Sequence, residues 1–187
     1  MNNKLAAALT GAALVAALTG CGASHEEALN AWAKQVCDKV PPQEKKIQEA
    51  DKLFSETTPD DSPEKVKEVD SKVFGQKAEA YRAIAVALDK AGKPPAEDAE
   101  KAGKLYAESV KGMKATAAAY RDLKAQVDKL DTKDQRKFAD GLQELAAEPN
   151  RASKAGHDAF LQLQSGEIGT AMAEQPGCKK TSPAAGS

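Results

Sequence analysis

Histidine is nearly missing from this chain, and aromatic residues are few: two His, one Trp, three Tyr and four Phe among 187 residues. Neither histidine opens a His-Glu-x-x-His pair or follows a glutamate by three positions, which excludes the zincin and di-iron bundle patterns. A glycine-rich phosphate loop, a Gly-x-Ser-x-Gly elbow, a Cys-x-x-Cys pair and a Cys-x-x-Cys-His haem site are all absent. Neither sign of charge is in excess. With 27 basic and 28 acidic residues the formal net charge is −1, which offers nucleic acid no long-range attraction. Thirteen Gly and nine Pro are too few for a collagen-like or low-complexity chain. Beyond the first 20 residues no apolar run approaches the roughly eighteen needed to cross a bilayer. No segment alternates with period two, and no hairpin dipeptide sits between β-branched runs, so no sheet is expected.

What is present begins with an export signal. Lys4 is the only charge before an apolar stretch from Leu5 to Leu18, which ends in Leu18-Thr19-Gly20-Cys21. Positive start, apolar centre and small residues at the cut are the order of a bacterial secretory signal. The closing four residues resemble the lipobox of bacterial lipoproteins. That resemblance implies a thioether-linked diacylglycerol on Cys21 and cleavage before it. Two acyl chains suffice for stable anchoring where one is marginal. The expected divisions are a signal peptide at 1–20, an anchor and short tether at 21–24, a helical domain at 25–178 and a disordered tail at 179–187.

Of the three cysteines, Cys37 and Cys178 remain. An even remainder in an exported protein points to a disulfide, the alternative being two buried, unpaired thiols. Two thiols without a nearby histidine fall short of a zinc site. The bridge, if formed, is structural.

The rest of the chain reads as helices. Ser24 and Glu27 form a capping box before Leu29, Trp32 and Val36. Pro41-Pro42 breaks this first arm, and a second short helix carries Ile47, Ala50, Leu53 and Phe54. After a loop at Thr57–Ser62, Ser62 and Pro63 start a helix with Val66, Val69, Val73, Ala80, Tyr81, Ile84 and Leu88 inward. Lys77 is the missing beat in that stripe. Gly92 and Pro94-Pro95 end it. A helix from about Ala96 to Leu130 then repeats Tyr106, Met113, Tyr120 and Val127 at heptad spacing, the mark of long helices packed at small angles. Thr132 with Gln135 suggests a second capping box. The following helix carries Phe138 to Leu163 through Pro149, where a kink or one broken turn is expected, and Gly166 ends it. Short connections force antiparallel neighbours, so the fold expected is all-α: an up-and-down antiparallel helical bundle with long helices and a broken N-terminal arm. Cys37 would lie roughly 20 Å along the first arm, within reach of a C-terminal segment turning back from Gly166 to Cys178.

Taken together, the lipobox, the Ala/Lys/Asp-rich helices, Trp32-to-Asp38 and the final Cys178 resemble small secreted lipoproteins of actinobacteria. The resemblance implies an exported, lipid-anchored helical protein at the outer face of the cell membrane, and it carries over no catalytic residue.

No constellation of side chains stands out as catalytic, and no cofactor or metal is expected. His25 and the His157-Asp158 pair read as solvated helix surface. Asp128, Asp131 and Asp134 read as a cap region, lacking an EF-hand glycine and terminal glutamate. Lys111, Lys114, Arg121 and Lys124, interrupted by Asp122, read as the outer face of an amphipathic helix. Tyr106 and Tyr120 are expected in the core, with hydroxyls reaching water. Two functions then compete: a non-catalytic module for an unknown protein or envelope partner, and a carrier of an apolar small molecule or lipid. A cavity lined by Tyr106, Met113, Tyr120 and Phe138 would favour the carrier.

Overall fold

The computed structural model describes residues 24–58 and 60–179. Over these residues the protein is all-α, with no strand. Its helices are α1 (His25–Cys37), α2 (Pro41–Ser55), α3 (Pro63–Ala91), α4 (Ala99–Val127), α5 (Gln135–Leu145), α6 (Glu148–Leu163), α7 (Gly166–Glu174) and α8 (Pro176–Lys179). The expected signal, the expected lipidation site Cys21 and the expected tether before Ser24 lie outside the described residues. So do residues 180–187. The expected tail starts one residue too early, because Lys179 is the last residue of α8.

Local chemistry sets most of the boundaries. At α1 the Ser24 hydroxyl accepts from the Glu27 amide while the Glu27 carboxylate accepts from the Ser24 amide, as a capping box requires. Ser62 caps α3 through the Lys65 amide, with Pro63 in the first turn, where its missing N–H costs nothing. Gly92 closes α3 at φ 73°, a conformation that a side chain would strain. The Thr132–Gln135 capping box does not form. Asp134 takes the cap of α5 instead, accepting from Lys137 N, since an aspartate oxygen is at least as good a cap as a threonine hydroxyl. Asp98 likewise caps α4 and starts it at Ala99. Around Pro149 the chain has one broken turn between α5 and α6, with the proline in the first turn of α6. Gly166 does not end α6, which stops at Leu163; it opens α7.

The long helices run up and down. Phe54 meets Phe74 and Asp51 meets Lys77; Tyr81 meets Tyr120 and Asp89 meets Lys114; Thr116 meets Ala152 and Ser109 meets Ala159. In each pair the numbering rises on one helix as it falls on the other, so α2/α3, α3/α4 and α4/α6 are antiparallel. The central pair is α3 and α4, with α2 against α3 and α6 against α4. The N-terminal arm is broken at Asp38–Val40: α2 continues the bundle, and α1 lies against α7, α8 and α3. Trp32 anchors α1, its indole N–H donating to the Gly92 carbonyl at 2.8 Å. Glu167 of α7 accepts from the Glu97 amide at 2.8 Å and lies 3.2 Å from His25 Nε2. Cys37 and Cys178 form a disulfide with their Cα atoms 5.1 Å apart, tying α8 to the end of α1.

Seams of alanine leave room for close helix contact. Ala33 and Ala50 are fully buried, and Leu88, Val36 and Val127 fill the larger gaps. The α4/α6 seam is polar in part. Ser109, Thr116 and Tyr120 donate hydroxyl bonds to the carbonyls of Ala159, Ala152 and Pro149 at 2.7, 2.8 and 3.1 Å. These positions are seven and four apart, so all three hydroxyls point from one face of α4. Tyr120 is therefore buried with its hydroxyl bonded to the backbone, contrary to the expectation that it reaches water.

Candidate functional site

Helices α2 and α6 flank the α3/α4 pair on the same side and hardly touch each other. Between them lies a groove of about 1020 Å³, at the upper end of small-molecule sites. Its geometry follows from the packing on either side. Ala50 brings α2 close to α3, and Gly112 and Gly156 bring α6 close to α4, but no helix fills the remaining gap. At one end α7 and α8 approach, and Met172, Ala173 and Cys178 reach the lining. The other end opens past Phe54 and Pro149.

The floor is apolar and aromatic. Tyr81 and Tyr120 stack with ring centroids 5.7 Å apart and planes 4° from parallel, and Phe74 tilts against Tyr120 at 6.1 Å. Ile84, Met113 and Phe160 continue the floor towards α7. Burial, reinforced by the neighbouring Tyr120 and the carboxylates of Asp51 and Glu44, pushes the Tyr81 phenol well above its ordinary pKa.

One cation interrupts this floor. Lys77, the residue that breaks the apolar stripe of α3, is 9% exposed and turned inward. Its ammonium pairs with the Asp51 carboxylate from α2 and sits 5.2 Å from the centre of the Tyr120 ring. The pair is lopsided: the lysine side chain is 11% exposed and the aspartate 56%. The walls are polar. On α2, burial raises the pKa of Glu44, an effect that nearby His157 of α6 opposes. Beside His157, Lys154 and Asp158 form an ion pair at 2.5 Å.

Among the expected residues, Met113 and Tyr120 line the groove, while Tyr106 and Phe138 do not. Tyr106 is half-buried elsewhere on α4, and Phe138 is the one buried residue of α5. A seven-residue repeat places side chains on one seam, whereas α4 has a neighbour on each of two sides. His157 turns up at the groove wall and His25 at the α1/α7 contact. Two of the three aspartates are caps, Asp128 ending α4 and Asp134 starting α5, while Asp131 accepts from Lys133 N in the loop between them. Lys114 and Lys124 of the basic face pair with Asp89 and Asp128. Sequence reasoning missed Lys77, although a lone lysine on an otherwise apolar stripe was the signal for it.

Among the described residues no three His, Cys, Asp or Glu side chains gather as a metal site, and no helix is long and apolar enough to cross a membrane. The fold and groove define a helical bundle with an open, amphipathic cleft. Comparison with known proteins matches no family model, no curated protein and no solved structure.

Proposed function

We propose that this chain is a lipid-anchored extracytoplasmic lipoprotein at the outer face of the cell membrane, a non-catalytic binding protein whose ligand lies in the α2/α6 groove. The groove is the observation that carries this reading. A cavity of about 1020 Å³ with an apolar floor and polar walls suits a carrier better than a docking module. A docking module would offer a continuous apolar strip. Among the described residues three large apolar side chains are exposed, Phe54, Val86 and Leu161, and two of them stand at the groove itself. The membrane address rests on the lipobox, with Cys21 as the acylated residue.

Two experiments test the reading. Solvent extracts of the purified chain, analysed by mass spectrometry, should contain a molecule that is lost when Ser153→Trp fills the groove from α6. Identical extracts from both would defeat the carrier. A metabolically incorporated fatty-acid probe should label the wild-type chain and not Cys21→Ala. Label and membrane association surviving in that variant would defeat the anchor.

A further inference from the structure

We infer that the groove takes a single-chain amphiphile with an anionic head, a carboxylate or a phosphate, held by Lys77 with its acyl chain running towards the disulfide-bridged end. The inference rests on the carrier reading above and names its ligand.

The first observation is the asymmetry of the Lys77–Asp51 pair. The cation is fixed in the floor against Tyr120, whereas its carboxylate comes from an exposed side chain on the rim. A buried ammonium needs an anionic partner, since leaving it unpaired is costly. In the structure Asp51 fills that role. It can turn out to water at little cost when another anion arrives, because more than half of its side chain is already solvated. The reverse exchange, an incoming cation displacing Lys77, would require pulling a buried lysine out of the core.

Length is the second observation. Asp51 lies ten residues along α2 from Pro41, which borders the closed end beside Cys178; at 1.5 Å per residue that is about 15 Å. One acyl chain spans half of a bilayer's hydrocarbon core, also about 15 Å. Between these points the floor is Tyr81, Ile84, Met113 and Phe160, with Met172 at the far end. Nothing in that stretch of floor would oppose a methylene chain.

The acidic side chains nearby do not contradict an anionic head. Asp158 is held by Lys154 on the α6 wall. Glu44 stands two turns of α2 beyond Asp51, beside the methylene path and away from the head, and its burial favours the uncharged form.

The test uses the full chain in membranes and a palmitate analogue carrying a photoreactive diazirine. Crosslinked peptides should map to α2, α3 and α6. Unlabelled palmitate and hexadecyl phosphate should displace the probe at concentrations about tenfold or more below that of hexadecanol, the gain expected of a charge-assisted contact. Lys77→Met should abolish this preference while hexadecanol still competes. Asp51→Asn, a surface change that removes the competing carboxylate, should widen it. Displacement by only one of the two acids identifies the headgroup and supports the inference. Equal displacement by hexadecanol in the wild-type chain, or a preference unchanged by both substitutions, overturns the inference and leaves the groove reading intact. Absence of any crosslink in these helices overturns both.

Discussion

A methyl group added to Gly156 of α6 would lie 2.5 Å from the hydroxyl oxygen of Thr116 on α4. Real side chains do not approach so closely, so the spacing of these two helices depends on glycine at this position. The same added atom would meet the Gly112 carbonyl at 3.2 Å, which leaves no direction of retreat. Gly156→Ala should therefore force α6 outwards and break the bond from Thr116 to Ala152, destabilising the protein by about 1–3 kcal/mol. Urea denaturation measures it. Combined with Thr116→Ala, the cost should be less than the sum, because part of the clash is gone. Strict additivity would mean that the two helices are not in contact here.

Burial acts on Asp70 of α3 in a way that pH can report. The residue is 6% exposed, and desolvation raises its pKa to about 6 from 3.8. A carboxyl with a folded pKa above its unfolded value stabilises the fold in its protonated form. That contribution is complete below about pH 4 and is lost as pH rises through 6. Asp70→Asn, similar in shape but never charged, should stabilise the protein by about 1–3 kcal/mol at pH 7.5 and by little at pH 4. Thermal melts of both chains at the two pH values decide it. An equal gain at both would place the cause in packing and not in charge.

How much of this was legible beforehand depends on how local the cause is. Caps and stops are local: Ser24, Ser62 and the proline pairs mark their helices correctly, and the inward stripe of α3 predicts the burial of Val73, Ile84 and Leu88. Where two local signals competed, as Thr132 did with Asp134, sequence spacing alone could not choose between them. The groove was not legible. It exists because α2 and α6 are held on the same side of α3 and α4 without meeting, and helical periodicity carries no information on helices that are not neighbours. The inward turn of Lys77 has the same origin. A lysine on an apolar stripe can snorkel outwards; here the carboxylate of Asp51 and the ring of Tyr120, both contributed by other helices, hold it in. Helical periodicity assigns no role to Gly112 and Gly156, whereas the structure makes them the contact that sets α6 against α4.

The bridge between Cys37 and Cys178 spans 141 positions, so its removal should be felt strongly. A non-reduced digest should yield the two peptides joined, and two freely alkylated thiols would refute the link. Substituting both cysteines with alanine should lower stability by about 2–5 kcal/mol, chiefly by freeing the unfolded chain. Because α8 is tied to α1 by this bond, hydrogen exchange in α7 and α8 should rise more than in α3 and α4. A uniform rise across all helices would show that the terminal helices unfold only with the rest.

The Lys77–Asp51 pair should respond unequally to losing one partner or the other. Asp51→Ala leaves an ammonium in the floor of the groove with only the Tyr120 ring as compensation, and about 1–2 kcal/mol of stability should be lost. Lys77→Met removes the buried charge and fills its place with a flexible apolar chain. The remaining Asp51 is 56% exposed and returns to water without penalty. That variant should lie within about 1 kcal/mol of the wild type or above it, since replacing a buried ion pair by apolar packing is often neutral or stabilising. In the double variant, Asp51→Ala should then cost nothing further. Urea midpoints for the four chains complete the cycle. A loss of several kcal/mol from Lys77→Met would mean that the lysine is retained for the fold. Retained stability would mean that the fold does not require a cation at this position.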